Sequence, residues 1–184
     1  IWTHEHADHV FGIDDLRQIF HTLGRPVQAY ARPATGEVLK ARFGYVFQGH
    51  DGYPPTVTLS PLPDRLMIGS IAVEIADQPH ASITTAGLRF SADGKNIGYA
   101  TDFSAMTDKM RTLYSGLDAW IVDALRRRPH PSHPHLAQVV EWVAELSPRR
   151  TALIHMDSSM DYRALCAELP PGIEPGYDGM EIVA

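Results

Sequence analysis

Residues 3–9 read Thr-His-Glu-His-Ala-Asp-His, in which His4, His6, Asp8 and His9 are candidate metal ligands. His4 and His6 stand two apart, so on an extended strand end both project to the same side. Asp8 and His9 follow where the chain must turn toward a helix. Protonated imidazoles crowded this closely would repel. A divalent cation resolves the conflict by taking neutral imidazoles and an ionised carboxylate. Imidazole with carboxylate suits zinc, manganese or iron, and the lack of thiolates argues against a purely structural zinc site. A surface tag would be a simple repeat, whereas this run mixes His with Asp beside an amphipathic helix.

Two metals need more ligands than this motif holds. His80, Asp102 and His155 each fall at or just past the end of a predicted strand, where rigid elements deliver side chains to a shared cleft. Singly, such a residue is more often a cap or a satisfied polar group. Beside the opening motif, the three become candidate ligands. A Pro-broken stretch then carries His130, His133 and His135, with Pro129, Pro131 and Pro134 stiffening it. Just before it stand Arg126, Arg127 and Arg128, the only strong basic run; guanidinium groups suit bidentate recognition of phosphate. Asp123 is placed to pair an arginine or to orient the site. Ser158, Ser159, Asp161 and Tyr162 follow His155 and are in position to line a mouth, although Tyr162 is expected to pack at the head of a Tyr162, Leu165, Leu169 stripe. Cys166 on the same helix is expected to be buried. No partner is evident for His21 or His50.

The elements that must hold these groups are read from periodicity. Helix spacing covers 13–23, with Asp14 as N-cap and Gly24 as the stop. A short strand at 27–31 precedes a second helix over 33–43, and a Gly- and Pro-rich stretch at 49–63 holds one strand, 56–59. Alternation predicts a strand at 67–75, and strands at 82–90 and 96–101 flank an Asp93-Gly94 hairpin turn. Helix and strand then alternate: helices at 107–114, 135–146 and 161–169, strands at 119–123, 151–155 and 180–183. Strands followed by strand–helix alternation indicate a layered α/β domain, and the simplest organisation is one domain over residues 1–184. Ile1-Trp2-Thr3 reads as the end of a buried strand whose earlier part lies outside the sequence.

Composition narrows the classes of function. The 184 residues are 44% hydrophobic and 21% charged, with a formal charge of −6. An acidic surface disfavours general nucleic-acid binding. The single cysteine excludes an internal disulfide and fits a reducing, cytoplasmic setting. No apolar run approaches the ~20 residues of a membrane span, so no membrane association is expected. A homodimer is compatible with everything above.

His4-x-His6-x-Asp8-His9, then His80, Asp102 and His155 in that order, resemble the metallo-β-lactamase superfamily. Three segments, THEHADHVFGIDDLR, DALRRRPHPSHPH and the tail from His155 to Ile182, are similar to its PhnP-like phosphodiesterase branch. The resemblance implies an α/β fold, the four-layer αβ/βα sandwich, with several strands preceding the opening motif. It further implies two divalent ions (Zn or Mn, with Fe also admitted): one held by His4, His6 and His80, the other by Asp8, His9 and His155, with Asp102 bridging. Two ions about 3.5–4 Å apart share a hydroxide of lowered pKa and clamp the oxygens of an in-line displacement, so Asp8 counts with His133 among the residues that carry the chemistry. By family position His133 is the proton donor to the leaving alkoxide, with His135 at the helix start as the runner-up. Arg126, His135 and Ser158 are candidate substrate contacts. The implied activity is hydrolysis of a small phosphodiester, cyclic ribose phosphates included. Thioester or lactone hydrolysis by the same metal pair, or a non-catalytic metal-binding role in cofactor biosynthesis, are the alternatives.

Overall fold

The computed structural model describes residues 1–183, and they form two compact units, residues 1–63 and the remainder from Asp64. Each unit is built from both helix and strand.

The first unit begins with α1 (Ala7–Val10), a 3-10 turn (Phe11–Asp15) and α2 (Leu16–Leu23). The helix expected over 13–23 is thus divided. Its first turn is tightened, and Asp14 pairs with Arg17 at 2.7 Å instead of capping. Gly24 stops the helix as expected, at φ 64°, a conformation that glycine adopts without steric cost. β1 (Val27–Ala31) pairs in parallel with β2 (Val57–Pro61), and α3 (Pro33–Arg42) and α4 (Gly44–Gln48) lie between them in sequence. Trp2 bridges to Ala31 on β1, its N–H donating to the Tyr30 carbonyl at 2.8 Å. The chain therefore runs extended into the His4 motif. Ile13, Ala29, Val46 and Val57 form one apolar cluster of this unit, and Val10, Ala31 and Leu39 form another.

The second unit is a seven-stranded sheet in sequential order: β3 (Arg65–Ile68), β4 (Ile71–His80), β5 (Ile83–Ala92), β6 (Lys95–Ala100), β7 (Ala119–Asp123), β8 (Arg150–Ile154) and β9 (Ile173–Pro175). The strand expected at 67–75 is two strands. Ile68 faces Ile71 across a two-residue turn, where Gly69 has φ 60°, a glycine turn of the kind that closes hairpins. β3 to β6 are antiparallel, whereas β6 to β9 are parallel and joined through α5 (Asp108–Leu113), α6 (Leu136–Leu146) and α7 (Tyr162–Glu168). Thr107 and Asp161 cap α5 and α7 with their side chains. The closing strand expected at 180–183 does not form; among the described residues the last strand is β9, whose Pro175 is tolerated because it lies on a sheet edge.

Helices packed on this sheet bury Phe103, Met110, Tyr114, Trp120, Val139, Leu153 and Leu165, with Phe103 stacked on Trp142 at 5.4 Å. Gly98 on β6 makes room for that packing. A Cβ there would meet Leu117 at 2.5 Å, Trp120 at 2.9 Å and Tyr114 at 3.0 Å. Gly98→Ala is expected to destabilise the protein by about 1–3 kcal/mol, the usual cost of overpacking a filled core; a urea midpoint equal to that of the unsubstituted protein would refute this account of the packing.

Candidate metal centre

The direction of the strands explains why distant residues converge. β4 and β6 are both antiparallel to β5, and β6, β7 and β8 are parallel, so all four end at the same edge of the sheet. His80 ends β4, Asp102 lies just past β6, Asp123 ends β7 and His155 follows β8. Clefts at the carboxyl ends of strands are where α/β sheets bind ligands. Asp102 and His155 take left-handed backbone conformations, φ 52° and 58°, which cost a non-glycine residue about 1–3 kcal/mol each.

Asp102 is at the centre, its side chain 3% exposed. Its Oδ2 lies 3.6 Å from His80 Nε2 and 3.9 Å from His133 Nε2, and its Oδ1 lies 3.5 Å from His155 Nε2. These separations are longer than hydrogen bonds. Donors about 2.1 Å from a tetrahedral ion lie about 3.4 Å apart, so His80, Asp102 and His155 are spaced as ligands of cations. The rings are also presented as ligands. His80 Nδ1 donates to the Ser132 carbonyl at 2.9 Å, which leaves the lone pair on Nε2, the arrangement by which a second hydrogen bond fixes a ligating imidazole. The residues present therefore fit a divalent metal.

His133 is held differently. Its Nδ1 donates to Asp123 Oδ2 at 2.8 Å, and the same oxygen accepts the Asp102 N–H at 3.2 Å. Asp123, anticipated as a partner for an arginine or as an orienting group, takes the second role and is fully buried. Burial pushes its carboxyl above the ordinary range, while the hydrogen bond and charge of His133 pull the other way. The His133 ring stacks on His155 at 5.0 Å and meets the edges of His80 and His130 at 4.8 and 5.1 Å. Its loop is tied at the base: Arg126 bridges to His135, the Leu136 N–H reaches the Arg126 carbonyl at 2.9 Å, and the Leu125 N–H reaches the Pro134 carbonyl at 3.1 Å.

The Arg126 guanidinium donates to the carbonyls of Arg128 and Pro129, committing two of its five N–H donors to its own loop. Arg127 pairs with Glu168. His135 is the N-cap of α6, without a capping hydrogen bond from its side chain. Ser158 is exposed, in the turn where Asp157 Oδ1 accepts the Ser159 N–H at 2.8 Å. Tyr162, expected to pack, is 46% exposed and meets Tyr177 edge to face, and Cys166, expected to be buried, is exposed; the apolar stripe of α7 narrows to Leu165, its one buried residue. His21 is hydrogen-bonded to the Tyr53 hydroxyl at 2.8 Å, and His50 lies 2.9 Å from Asp51.

In the first unit the opening motif is extended up to His6, and Asp8 and His9 occupy α1. His4 is fully buried; its ring lies 4.6 Å from that of His6 and 4.3 Å from that of His9, and His9 Nε2 is 3.3 Å from Asp8 Oδ2. Glu5 anchors the motif to α3, its carboxylate accepting from Thr35 at 3.0 Å and its carbonyl from Arg42 at 2.6 Å. Sequence reasoning missed Glu5, Thr35 and Arg42; alternation in residues 4–6 was the available signal, since it turns Glu5 away from the two imidazoles.

A family model described as a beta-lactamase superfamily domain matches residues 1–156. A crystal structure described as a new diphosphatase from the PhnP family is 30% identical, covers 97% of this chain and 67% of its own, and superposes with a TM-score of 0.86. Zinc-bound PqqB from Methylobacterium extorquens, 19% identical, shares the fold at a TM-score of 0.73 over 97% of this chain and 70% of its own. A protein named octanoyltransferase from Porphyromonas gingivalis (strain ATCC BAA-308 / W83) is 29% identical over 188 residues, which is 98% of this chain but 37% of that protein. The chain thus spans little more than a third of that curated relative.

Metal should stabilise the folded protein. At free zinc about 100 times its dissociation constant the gain is about 2.7 kcal/mol, so chelation should lower the melting temperature and added zinc restore it. Asp102→Asn should melt at the same temperature with and without zinc; a metal-dependent shift surviving that substitution would place the ion elsewhere.

Proposed function

Because the chain belongs to the metallo-β-lactamase superfamily and, within it, to the PhnP-like branch, we propose that it is a metal-dependent phosphodiesterase acting on a small phosphodiester, a cyclic ribose phosphate among the candidates. Its fold is the α/β fold of that superfamily. The proposed ligands are His4, His6 and His80 for one divalent ion and Asp8, His9 and His155 for a second, with Asp102 between them. The two oxygens of Asp102 face different imidazoles, His155 from Oδ1 and His80 from Oδ2, which supports a bridging role. When bound, the ions would polarise the phosphoryl group and supply an activated water; zinc or manganese suits the donor set, and iron is admitted by it.

The observation that carries the phosphodiester reading is the His133–Asp123 pair. Departure of an alkoxide needs a proton, and a positioned acid contributes about 10²–10⁴-fold. With Nδ1 fixed by a buried carboxylate, His133 presents Nε2 toward the Asp102 side of the site. Asp123 is the positioning residue: it sets the ring orientation and favours the imidazolium. Neither the small-substrate reading nor a cytoplasmic location depends on a membrane, and among the described residues no helix is long and apolar enough to cross one.

A second reading is hydrolysis of an acyl thioester by the same ions. It is favoured by the relative named octanoyltransferase, whose name denotes an acyl group as cargo.

His133→Ala should lower turnover of a ribose cyclic phosphate by about 10²–10⁴-fold, and that of bis-p-nitrophenyl phosphate, whose leaving group needs no proton, far less. Equal losses on both substrates would remove His133 from the acid role. Turnover of octanoyl thioester alone, with neither phosphodiester cleaved by the metal-loaded protein, would replace the first reading with the second.

A further inference from the structure

Behind Asp102 lies a run of buried polar groups that no ligand assignment uses. The Tyr114 hydroxyl reaches Gln78 Oε1 at 2.8 Å and the Tyr99 carbonyl at 3.0 Å. Gln78 spends both amide hydrogens, on Thr85 Oγ1 at 2.9 Å and on the Thr101 carbonyl at 3.0 Å. Thr85 passes its own hydrogen to the Asp102 carbonyl at 2.9 Å, and the Thr101 hydroxyl donates to Asp102 Oδ1 at 2.6 Å. Tyr114, Gln78 and Thr85 are fully buried and Thr101 nearly so.

Four features distinguish this network from ordinary core packing. A glutamine with no exposed surface is costly inside a sheet unless its amide is saturated, and here all three of its polar hydrogen-bonding needs are met. The hydrogen bonds run in one direction, from the phenol through Gln78 and Thr85 to the Asp102 carbonyl; burial holds the Tyr114 phenol well above its ordinary pKa, so it remains a donor. The backbone has been cleared for it: a Cβ on Gly87 would stand 2.2 Å from the Tyr114 hydroxyl and 2.5 Å from Gln78 Oε1. Finally, the network ends on the residue whose backbone is strained. The carbonyls of Thr101 and Asp102, both tethered, flank the left-handed φ of 52° at Asp102.

We propose that Tyr114, Gln78, Thr85 and Thr101 form a positioning network that holds Asp102 in its strained conformation and fixes its carboxylate to ligate metal. The inference rests on the metal-centre part of the reading above and is independent of substrate. Its physical content is preorganisation. The Thr101 hydroxyl occupies one lone pair of Oδ1, setting the rotation of the carboxylate so that its two oxygens face different imidazoles. The backbone tethers hold the turn that Asp102 would otherwise leave when no cation is bound. A network of this kind lowers the cost of gathering buried ligands before the ion arrives, and groups that orient ligands in this way typically change metal affinity about 10–100-fold when removed.

Cobalt(II) tests this on the whole protein, because its visible absorption reports ligand geometry without reference to catalysis. Thr101→Val is close to isosteric and removes only the hydroxyl; Tyr114→Phe removes one oxygen at the far end of the network. Thr101→Val should weaken cobalt binding about 10–100-fold and alter the absorption bands, Thr101→Ser should restore both, and Tyr114→Phe should weaken binding several-fold. Apoprotein melting curves recorded in parallel separate positioning from folding: affinity should fall even where the apoprotein of the variant melts as the unsubstituted apoprotein does. Should Thr101→Val not fold, Tyr114→Phe decides the matter. Unchanged affinity and absorption in the folded variants would overturn the positioning role while leaving the metal centre in place. Failure of the unsubstituted protein to bind cobalt would overturn the metal centre, and this inference with it.

Discussion

A carboxylate removed from water is the constraint around which the second unit is organised. Asp102 is almost wholly buried, and an isolated buried charge is not tolerated; it must be paired, hydrogen-bonded or bound to a cation. The surroundings supply each form of compensation. A threonine hydroxyl donates to Oδ1, three imidazoles approach the two oxygens, and the backbone on either side is tied down. Imidazoles at 3.5–3.9 Å are too far to serve as hydrogen-bond donors. His80 and His155, at 3.6 and 3.5 Å, are spaced for a charge that sits between them and the carboxylate. That spacing is what makes the cluster read as a metal centre and not as a set of buried ion pairs.

The same constraint explains why the sheet changes from antiparallel to parallel where it does. Four side chains from separate stretches of sequence must reach one edge, and strand ends of like direction are the rigid way to bring them there. β4 arrives through an antiparallel hairpin, β7 and β8 through helical crossovers. The crossover loop between β7 and α6 is long enough to bring His133 back over the edge, and its arginines stitch it down: Arg126 onto loop carbonyls, Arg127 onto Glu168. The positive charge there is partly structural, holding a Pro-rich loop in one shape.

Much of this was legible in the sequence because the candidate ligands fall where periodicity breaks. His80, Asp102 and His155 were recognisable as polar residues closing apolar strands, and most strands and helices of the second unit followed from alternation. The errors share a cause: continuity of apolar residues was given more weight than turn chemistry. Met67 to Ile75 reads as one alternating run, yet Gly69-Ser70 permits the reversal that separates β3 from β4. Met180 to Val183 carries strand-like residues but pairs with no strand among the described residues, whereas the shorter Ile173–Pro175 pairs with β8. Tyr162 was assigned to an apolar stripe and Cys166 to the interior, yet the seven-residue helix buries only Leu165. Gln78, Thr85 and Tyr114 could not be read at all, since nothing in a one-dimensional pattern shows that three polar side chains from separate elements meet inside a core.

The division of labour among the histidines follows from which nitrogen is already committed. His80 gives Nδ1 to a neutral carbonyl, Ser132, which leaves the lone pair on Nε2, the arrangement a ligating imidazole needs. His133 gives Nδ1 to a buried carboxylate, Asp123, and that partner stabilises the protonated ring. The two rings meet edge to face with centroids 4.8 Å apart, and they differ in the hydrogen-bond acceptor that each holds. The acceptor on one ring nitrogen thus biases whether the other offers a proton or a lone pair.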